Sequence, residues 1–487
     1  MSFNKPNLLF IFTDEQRFDT LGCYGNRIIQ TPNLNALAER SVVFENAYVT
    51  QSVCTPSRSS ILTGLYPHTN GCTANNIPLR RETPTIAEMA PTDYIRGYIG
   101  KWHLGGEVVA QHGFEHWVSI EDAYRGYYSK PEHLSILSDY HHYLVRNGYE
   151  PDVEYGDTRV FARTTAARLP EPFTKAAFVG QETSRFISEN RDRPFMLYVN
   201  FLEPHMPFMG PFDDLYDPNI LPQCPAFLKK PDERASLRHR LLAEIYTSRS
   251  FEGHDLTTAQ GWLKVRAQYW GLVTLIDNAV GRILRTLAEC GLDDRTIVVF
   301  TSDHGDMMGD HAILAKCVMY EEAVKAPLTI RVPWMSPRQV SGRISQIDLV
   351  PTLLELMGCQ IPDHLEGSSR AAVVSGEESL DGNDVFFEWN GSDGVRIPGS
   401  DEHRKRLTGE ETARFDVGPW RTIVTSDGWK LNLSPVDQCE LYDLNNDPFE
   451  QDNLFEDRSQ AVRIDDLTAR IRAWQMRTND TGWPNAG

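Results

Sequence analysis

The sequence lacks any long apolar run. The longest apolar stretch near the N-terminus, Leu8 to Phe12, is far shorter than the roughly 20 residues that a membrane-spanning helix needs. No basic segment, apolar core and small-residue cleavage site precede this stretch, so the pattern is not that of a secretory signal. We therefore expect a cytoplasmic protein with no membrane partner.

Positive charge and cysteine are also scarce. Lysine and arginine number 48 against 67 acidic residues, a net charge of −19, which opposes binding to nucleic acid. The eight cysteines form no close Cys-x-x-Cys pair, so neither a zinc site nor a disulfide framework is indicated. What is present is an ordinary globular composition over 487 residues, enough for one large domain and a smaller one.

Four short apolar segments predict buried parallel strands, because each is rich in β-branched or aromatic residues. They are Asn7–Thr13, Ile95–Ile99, Phe195–Phe201 and Thr296–Thr301. Helical patterns lie between them, among them Leu34–Arg40 and the amphipathic Ile276–Glu289. This alternation predicts an α/β fold with a doubly wound, mostly parallel sheet.

The pattern changes near Val385, where short strand-like runs alternate with turn signals. These runs are Val385–Trp389, Arg421–Thr425 and Trp429–Leu433, and a helix from Ala461 to about Met476 follows. We therefore predict an α/β domain at 1–380, which carries the reactive residues, and an α+β subdomain at 381–487. The smaller unit would contain an antiparallel sheet and one helix.

Two long polar segments, at about 118–174 and 210–261, fit no simple βα repeat. Insertions of this kind usually form lids or binding loops, so we expect them to determine substrate choice. Together with the C-terminal helix, they are also the surfaces on which a homo-oligomer would form. The acidic pairs Asp401-Glu402 and Glu410-Glu411 predict exposed loops.

Each of the four predicted strands is followed at once by reactive side chains. In strand order these are Asp14 and Glu15, Lys101 and His103, His205, and Asp303 and His304. In open α/β sheets, ligands bind beyond the carboxyl ends of the strands. Four separate strand ends therefore predict one site.

Cys54 precedes a segment with the signals of a capped helix: Thr55 as N-cap, Pro56 in the first turn and Gly64 as the stop. Cys54 would then lie just outside a helix N-terminus. Free backbone N–H groups there favour a bound anion and lower the pKa of a thiol. The alternative interpretation is a small buried cysteine beside an ordinary helix.

An oxygen-rich set of residues suits one divalent cation. Its members are Asp14, Glu15, Asp303 and a hydroxyl from position 54. Oxygen ligands favour Ca²⁺ or Mg²⁺, whereas His304 would add a nitrogen ligand and favour Mn²⁺. The alternative is that each aspartate caps the turn after its strand and that His304 supports a ligand without touching the ion.

Three basic residues, Arg58, Lys101 and Lys316, are candidates to hold an anionic group in a dry pocket. Arg58 lies one helical turn beyond Cys54. Lys101 and His103 alternate on an extended Lys-Trp-His run, so both side chains would face one side. The alternative interpretation is that Lys101 and Lys316 are ordinary solvated residues on the surface.

The motifs around these residues resemble a known family. Cys54-Thr55-Pro56-Ser57-Arg58 followed by Leu62-Thr63-Gly64-Leu65-Tyr66-Pro67-His68 is similar to the signature of the type I sulfatases, in the alkaline-phosphatase superfamily. The likeness extends, in family order, to Asn7–Gly25, Gly100–Gly105, Pro204-His205, Ser302–Asp306 and Asp348–Gly358. It covers most of the chain.

The resemblance implies an alkaline-phosphatase-like fold and hydrolysis of a sulfate monoester, either a sulfated small molecule or a carbohydrate. In that family the matching cysteine is converted to formylglycine by a maturation enzyme, and one divalent cation, usually Ca²⁺, takes part. The implied metal ligands are Asp14, Glu15, Cys54, Asp303 and His304. The implied catalytic residues are Cys54, Arg58, Lys101, His103, His205 and Lys316.

The implied reaction has two halves. The hydrated formylglycine attacks sulfur while His205, with Lys316, protonates or stabilises the departing oxygen, and His103 then accepts a proton as sulfate is expelled. Two positions depart from the family pattern. Leu65 stands where many members carry Arg in the segment that the maturation enzyme reads, and Glu15 stands where a second Asp is commonest.

Two other functions stay open on the sequence. A phosphonate monoester or phosphodiester hydrolase of the same superfamily would share the formylglycine and the metal, although that branch tends to lack the pair formed by Lys101 and His103. A protein that binds sulfated ligands without turnover would result if Cys54 stayed a thiol. Sulfated sugars, choline-like esters and aryl sulfates are not distinguished.

Overall fold

The structure is a computed structural model that describes residues 5–120, 128, 130–156, 158–391 and 400–482. Within them, the strands in chain order are β1 Asn7–Asp14, β2 Val42–Tyr48, β3 Ile95–Gly100, β4 His116–Val118, β5 Asp152–Tyr155, β6 Thr158–Phe161, β7 Phe195–Pro204, β8 Ser250–Phe251, β9 His254–Asp255, β10 Thr296–Ser302, β11 Lys325–Arg331, β12 Arg338–Ser345, β13 Val385–Trp389, β14 Trp420–Val424, β15 Trp429–Leu433 and β16 Glu440–Asp443.

The α-helices of the same part of the chain alternate with these strands. They are α1 Pro32–Ala38, α2 Cys54–Thr63, α3 Pro67–Asn70, α4 Ile86–Met89, α5 Asp139–Arg146, α6 Arg163–Ala167, α7 Lys175–Glu189, α8 Leu237–Thr247, α9 Ala259–Glu289, α10 Glu321–Val324, α11 Leu349–Leu356, α12 Ala371–Ser375, α13 Ser400–Arg404, α14 Gly409–Val417 and α15 Ala461–Arg477. None of them combines the length and apolar character that crossing a bilayer requires.

The main sheet has eight strands in the order β12-β2-β11-β10-β1-β7-β3-β4. Strand β11 runs antiparallel to both of its neighbours, and every other pair in the sheet is parallel. The four strands predicted from the sequence are the adjacent strands β10, β1, β7 and β3. The predicted mostly parallel α/β sheet is therefore confirmed, and the carboxyl ends of these four strands share one edge.

Both faces of the sheet are covered, which explains why its central strands are continuously apolar. Along β1, Phe10 and Phe12 pack into one core with helices α2 and α11, whereas Leu9 and Ile11 pack into another with α7 and α9. Successive side chains of a strand point to opposite faces, so one apolar segment supplies two cores. The sheet edge is thereby held rigidly between helical layers.

The C-terminal part contains the predicted small antiparallel sheet, in the order β13-β14-β15-β16, with β16 as an additional strand. Helix α15 packs on it through the buried residues Leu467, Ile471 and Trp474. The expectation of a single helix is wrong, because α13 and α14 also lie in this part. The boundary between 1–380 and 381–487 stays a prediction.

The acidic pairs lie in helices, so the prediction of loops there is wrong. Asp401 and Glu402 lie in the first turn of α13, and Glu410 and Glu411 lie in the first turn of α14. A capping box between Thr408 and Glu411 starts α14, because each side chain satisfies a backbone N–H at the helix start. Acidic residues near a helix N-terminus also interact favourably with the helix dipole.

The two long insertions have structure of their own. The segment at about 118–174 contains α5, α6 and the hairpin β5–β6, although its residues 121–127, 129 and 157 lie outside the described part. The segment at about 210–261 contains α8 and the hairpin β8–β9. The first insertion places Arg163 Nη2 2.8 Å from the carbonyl oxygen of Met206, next to His205. It therefore reaches the sheet edge where the reactive residues lie.

Candidate active site

Cys54 is the first residue of α2, and every residue of that helix is buried. Val53 occupies the N-cap position, and Gly64 ends the helix with a left-handed φ of 69°. The predicted N-cap, Thr55, is wrong, because its Oγ1 donates to the carbonyl oxygen of His103 at 2.8 Å instead of capping the helix. Cys54 therefore sits inside the first turn.

The expected lowering of the thiol pKa is also wrong. Burial, followed by the negative charge of Asp14, raises the pKa of Cys54 to about 12. The thiol is therefore protonated at neutral pH, and it is a poor nucleophile in this form.

Four of the five predicted metal ligands, Cys54 among them, come together in one cluster. Asp14 ends β1, and Asp303 and His304 follow the neighbouring parallel strand β10. Cys54 Sγ lies 3.6 Å from Asp14 Oδ1 and 3.5 Å from His304 Nε2. One ligand atom from each of the four residues lies within 4.8 Å of the others, and all four residues are buried.

The chemistry of this cluster fits a divalent cation. Two carboxylates and an imidazole are present, and the atom at position 54 completes the group. Buried carboxylates repel one another unless a cation or a proton lies between them. Hard divalent ions prefer such oxygen ligands, so the donor set matches the metal that the sequence predicts.

Glu15, the fifth predicted ligand, lies to one side of this cluster. Its Oε2 is 2.7 Å from Lys316 Nζ and 3.4 Å from His205 Nε2. Burial raises the pKa of Glu15 to about 8, with Lys316 acting in the opposite direction and Asp306 adding to the rise. Glu15 has a left-handed backbone φ of 70°, and its side chain points toward Lys316 and His205. Its role as a metal ligand stays a prediction.

Arg58 joins the carboxylates of both strands. Its Nη2 donates to Asp14 Oδ2 at 2.7 Å and its Nε to Asp303 Oδ2 at 2.9 Å, while Nη1 donates to Asn200 Oδ1 at 2.8 Å. Lys101 Nζ reaches the same Asp14 oxygen at 2.5 Å. Burial would raise the pKa of Asp14, but Lys101 and Arg58 outweigh it and hold that pKa well below its usual range.

The two predicted histidines are buried and neutral. Burial, followed by the charge of Lys101, holds the pKa of His103 well below its ordinary value, and burial with Lys316 does the same for His205. The predicted extended run at His103 is wrong, because His103 has a left-handed φ of 58°. Glu107 holds this turn, since its carboxylate accepts from the backbone N–H groups of Trp102 at 2.8 Å and His103 at 2.6 Å.

Lys316 lies at the base of a tightly folded loop. Five non-glycine residues in this loop have left-handed φ angles: Met308, His311, Ala312, Ala315 and Cys317. Asp306 closes the base, because its Oδ1 accepts from the backbone N–H groups of Met308 at 2.7 Å and Ala315 at 3.0 Å. Strained conformations of this kind cluster at functional sites. This loop places the Lys316 ammonium group 2.7 Å from Glu15 Oε2.

The structure thus brings all the predicted site residues to one edge of the sheet. Sequence reasoning missed Asn200, Glu107 and Asp306, which hold the site together. A signal existed for Asn200, a lone amide in an otherwise apolar strand, and for Asp306, which belongs to the matched Ser302–Asp306 motif. No comparable signal marked Glu107.

The profile of the Sulfatase family matches residues 6–359, so the chain belongs to the sulfatase family. It is 29% identical over 490 residues to an arylsulfatase of Clostridium perfringens, covering 95% of this chain and 93% of that protein. It is 26% identical over 535 residues to an N-acetylglucosamine-6-O-sulfatase of Bacteroides thetaiotaomicron, covering 98% and 87%.

A solved structure of the phosphonate monoester hydrolase of Agrobacterium radiobacter also has the same fold. The TM-score is 0.77 at 24% identity, covering 97% of this chain and 96% of that one. Identity at this level shows a shared fold and no more. The family assignment makes the chain a sulfuric ester hydrolase, which confirms the predicted class of enzyme.

Proposed function

We propose that the chain hydrolyses sulfate monoesters with a nucleophile derived from Cys54, which a maturation enzyme oxidises to formylglycine. The observation that carries this proposal is the position of Cys54 Sγ, 3.6 Å from Asp14 and 3.5 Å from His304 at the start of a buried helix. A protonated thiol with a pKa near 12 has no evident use at this position. An oxidised side chain would place oxygen there instead.

We propose one divalent cation in the same cluster. Carboxylate oxygens suit Ca²⁺, Mg²⁺ and Mn²⁺ alike, and Ca²⁺ is favoured because the sulfatase family usually uses it. Asp14, Asp303, His304 and residue 54 would hold it, with Glu15 as a further ligand. The cation would supply electrostatic stabilisation of negative charge at residue 54 and on the sulfate oxygens. It would also leave the buried centre with an excess of positive charge.

The remaining roles in the reaction belong to side chains of the protein. Arg58 and Lys101 hold Asp14, so they fix the position of the carboxylate against which residue 54 is oriented. The hydrated formylglycine supplies one oxygen to attack sulfur and a second whose deprotonation lets sulfate leave. Burial of the site excludes bulk water and strengthens each of these interactions.

Different histidines act in the two steps of the reaction, departure of the alcohol and release of sulfate. His205 Nε2 and Lys316 Nζ converge on Glu15 Oε2, so these two residues mark where the departing alcohol oxygen would be stabilised. His103 follows β3, and its backbone carbonyl accepts from Thr55 Oγ1, next to residue 54. Its imidazole would accept the proton when sulfate is expelled. His103 is neutral, as proton acceptance requires.

We propose a sulfated carbohydrate or another sulfated small molecule, an aryl sulfate included, as the substrate class. The relatives' names include both an arylsulfatase and a sulfatase of N-acetylglucosamine, which supports either type of leaving group. A phosphonate monoester hydrolase is the second candidate, supported by the likeness in fold. The retained pair Lys101 and His103 favours sulfate.

The test compares hydrolysis of p-nitrophenyl sulfate, p-nitrophenyl phosphate and a phosphonate monoester after coexpression with a maturation enzyme. Position 54 should lose about 18 Da on conversion, which peptide mass analysis measures directly. Sulfate turnover should dominate and disappear in Cys54→Ala. Preference for a phosphorus ester would refute the sulfate proposal. A converted enzyme that hydrolyses neither these esters nor a panel of sulfated sugars would favour a binding role.

A further inference from the structure

His103 belongs to a closed ring of hydrogen bonds that includes the residue next to Cys54. Asn76 donates its backbone N–H to Thr55 Oγ1 at 3.2 Å, and Thr55 Oγ1 donates to the carbonyl oxygen of His103 at 2.8 Å. The Asn76 side chain closes the ring, because its Oδ1 lies 2.9 Å from His103 Nε2. The imidazole is thus tied to the turn that carries Asn76.

The contact between Asn76 and His103 has a chemical consequence. An amide oxygen has no proton to give, so a hydrogen bond to Asn76 Oδ1 requires the proton of His103 to be on Nε2. A neutral imidazole carries only one ring proton. The basic lone pair of His103 is therefore on Nδ1.

We propose that Asn76 is a positioning residue that fixes the tautomer of His103 with Nδ1 as its proton acceptor. The inference rests on the proposed function, in which His103 accepts a proton as sulfate leaves. A histidine whose proton sat on the wrong nitrogen would have to exchange it through water before each turnover. Residue 76 would thus act through His103 and not on the substrate.

The backbone conformations of Asn76 and His103 indicate that their contact is specifically positioned. Both have left-handed backbone conformations, with φ of 66° at Asn76 and 58° at His103. Asparagine tolerates this region better than most residues. The backbone of His103 is held separately by Glu107, which accepts its N–H at 2.6 Å. Removing the Asn76 side chain should therefore change the protonation of the ring more than its position.

The variants follow from this geometry. Asn76→Gly removes the acceptor at no backbone cost, because glycine adopts positive φ freely. Asn76→Asp keeps an acceptor of the same shape and serves as the rescue variant. Asn75→Ala is the matched control, because Asn75 Oδ1 accepts from the backbone N–H of Thr55 in the same turn.

The first measurement is ¹⁵N NMR of histidine-labelled protein in its unconverted Cys54 form, with the His103 signals assigned by His103→Gln. Wild type, Asn76→Asp and Asn75→Ala should show the proton of His103 on Nε2. Asn76→Gly should shift the ring toward the Nδ1–H tautomer. A wild-type proton on Nδ1, or a tautomer that Asn76→Gly leaves unchanged, would overturn the proposal.

The second measurement is steady-state kinetics of the converted enzyme. Because His103 acts only in sulfate release, Asn76→Gly should lower kcat roughly 10- to 100-fold and lower KM with it, leaving kcat/KM nearly unchanged. Asn76→Asp should recover most of kcat. A general distortion of the site would instead lower kcat/KM, and that result would contradict a positioning role.

The two proposals fail in different ways. The tautomer is measured without formylglycine, metal or substrate, so an inactive enzyme with the expected tautomer would count against the proposed function alone. An active sulfatase whose His103 carries its proton on Nδ1 would refute the assignment of Asn76 alone.

Discussion

Arg58 Nη2 lies 2.7 Å from Asp14 Oδ2, and both side chains are completely buried. The same guanidinium donates from Nε to Asp303 Oδ2 at 2.9 Å, so it neutralises carboxylates at the ends of two adjacent strands. Buried charges are tolerated only when they are paired in this way. Arg58 is therefore as important to the fold of the site as to its chemistry.

Replacing Arg58 should destabilise the protein strongly. Arg58→Ala removes the guanidinium from buried Asp303 and leaves Asp14 with Lys101 as its remaining ion pair, which costs roughly 3–5 kcal/mol of unfolding free energy. Urea unfolding of the metal-free protein measures this. The control is Arg234→Ala, whose partner Asp232 is exposed, with an expected loss of about 0–1 kcal/mol. Similar losses in the two variants would contradict the buried ion-pair interpretation.

A divalent cation should stabilise the protein through the Asp14 and Asp303 cluster. A ligand that binds only the folded state at 100 times its Kd adds about 2.7 kcal/mol. Thermal unfolding with Ca²⁺, Mg²⁺, Mn²⁺ or a chelator measures the effect and ranks the ions. In Asp303→Asn, which removes a charge from the cluster, the increase in Tm should be largely lost.

A second acidic cluster provides the control for the cation experiment. His68, Glu388 and Asp480 also bring ligand atoms within 4.8 Å of one another, but Arg421 pairs with Asp480 at 2.5 Å. Asp480→Asn should therefore keep the full response to the cation. If Asp480→Asn loses the response and Asp303→Asn keeps it, the metal site has been misplaced.

The central fold could be read from the sequence because burial on both faces leaves a continuous apolar run. Strands β1, β7 and β10 were visible for this reason, whereas β3 is interrupted by the partly buried Arg96 and was visible through Ile95, Tyr98 and Ile99. The reactive residues followed from their position after each strand. The C-terminal sheet was visible through its turn signals. Strand β16 was missed because its segment Glu440–Asp443 is short and begins and ends with an acidic residue.

The errors have a common physical origin. Thr55 has the local signature of an N-cap, but its hydroxyl bonds to His103, a partner 48 residues away. Asn76 and Glu107 carry no signature, because their roles depend on a turn that exists only when β3 meets α2. The tight loop around Lys316 could not be predicted either, since only one of its residues with positive φ, Gly309, is glycine. Tertiary contacts override local preference at such positions.

The contact between His68 and Glu388 should make stability depend on pH. Burial acts to lower the pKa of His68, but the Glu388 carboxylate reverses this, and the folded-state pKa lies above the ordinary value near 6.5. A raised pKa gives stability that is complete below the unfolded-state pKa. That stability is lost as the pH rises through the folded-state pKa.

Urea unfolding of wild type and His68→Gln between about pH 6 and pH 9 tests this linkage. The difference in unfolding free energy should be largest near pH 6 and shrink toward high pH. Glu388 stays ionised throughout, because His68 and Arg421 outweigh the effect of burial and lower its pKa. A difference that grows with pH would show that the Glu388 contact does not raise the pKa of His68 in the folded state.

Lys316 should matter most for substrates with poor leaving groups. Its Nζ lies 2.7 Å from Glu15 Oε2, the same oxygen that His205 Nε2 approaches at 3.4 Å, so both groups face the proposed position of the departing oxygen. The demand for stabilisation there rises with the pKa of the leaving alcohol. Lys316→Ala should lower kcat/KM by about 10²-fold or more for an alkyl sulfate, and by less for p-nitrophenyl sulfate.

A series of aryl sulfates with graded phenol pKa measures this dependence as a slope. The slope of log kcat/KM against leaving-group pKa should be steeper in Lys316→Ala than in wild type. The comparison variant is His103→Ala, which acts after the alcohol has left and should keep the wild-type slope. A uniform loss across the series would show that Lys316 instead holds the sulfate group or Glu15, because neither role depends on the alcohol. The steepness of the slope therefore separates a role at the departing oxygen from a role in holding the sulfate group or Glu15.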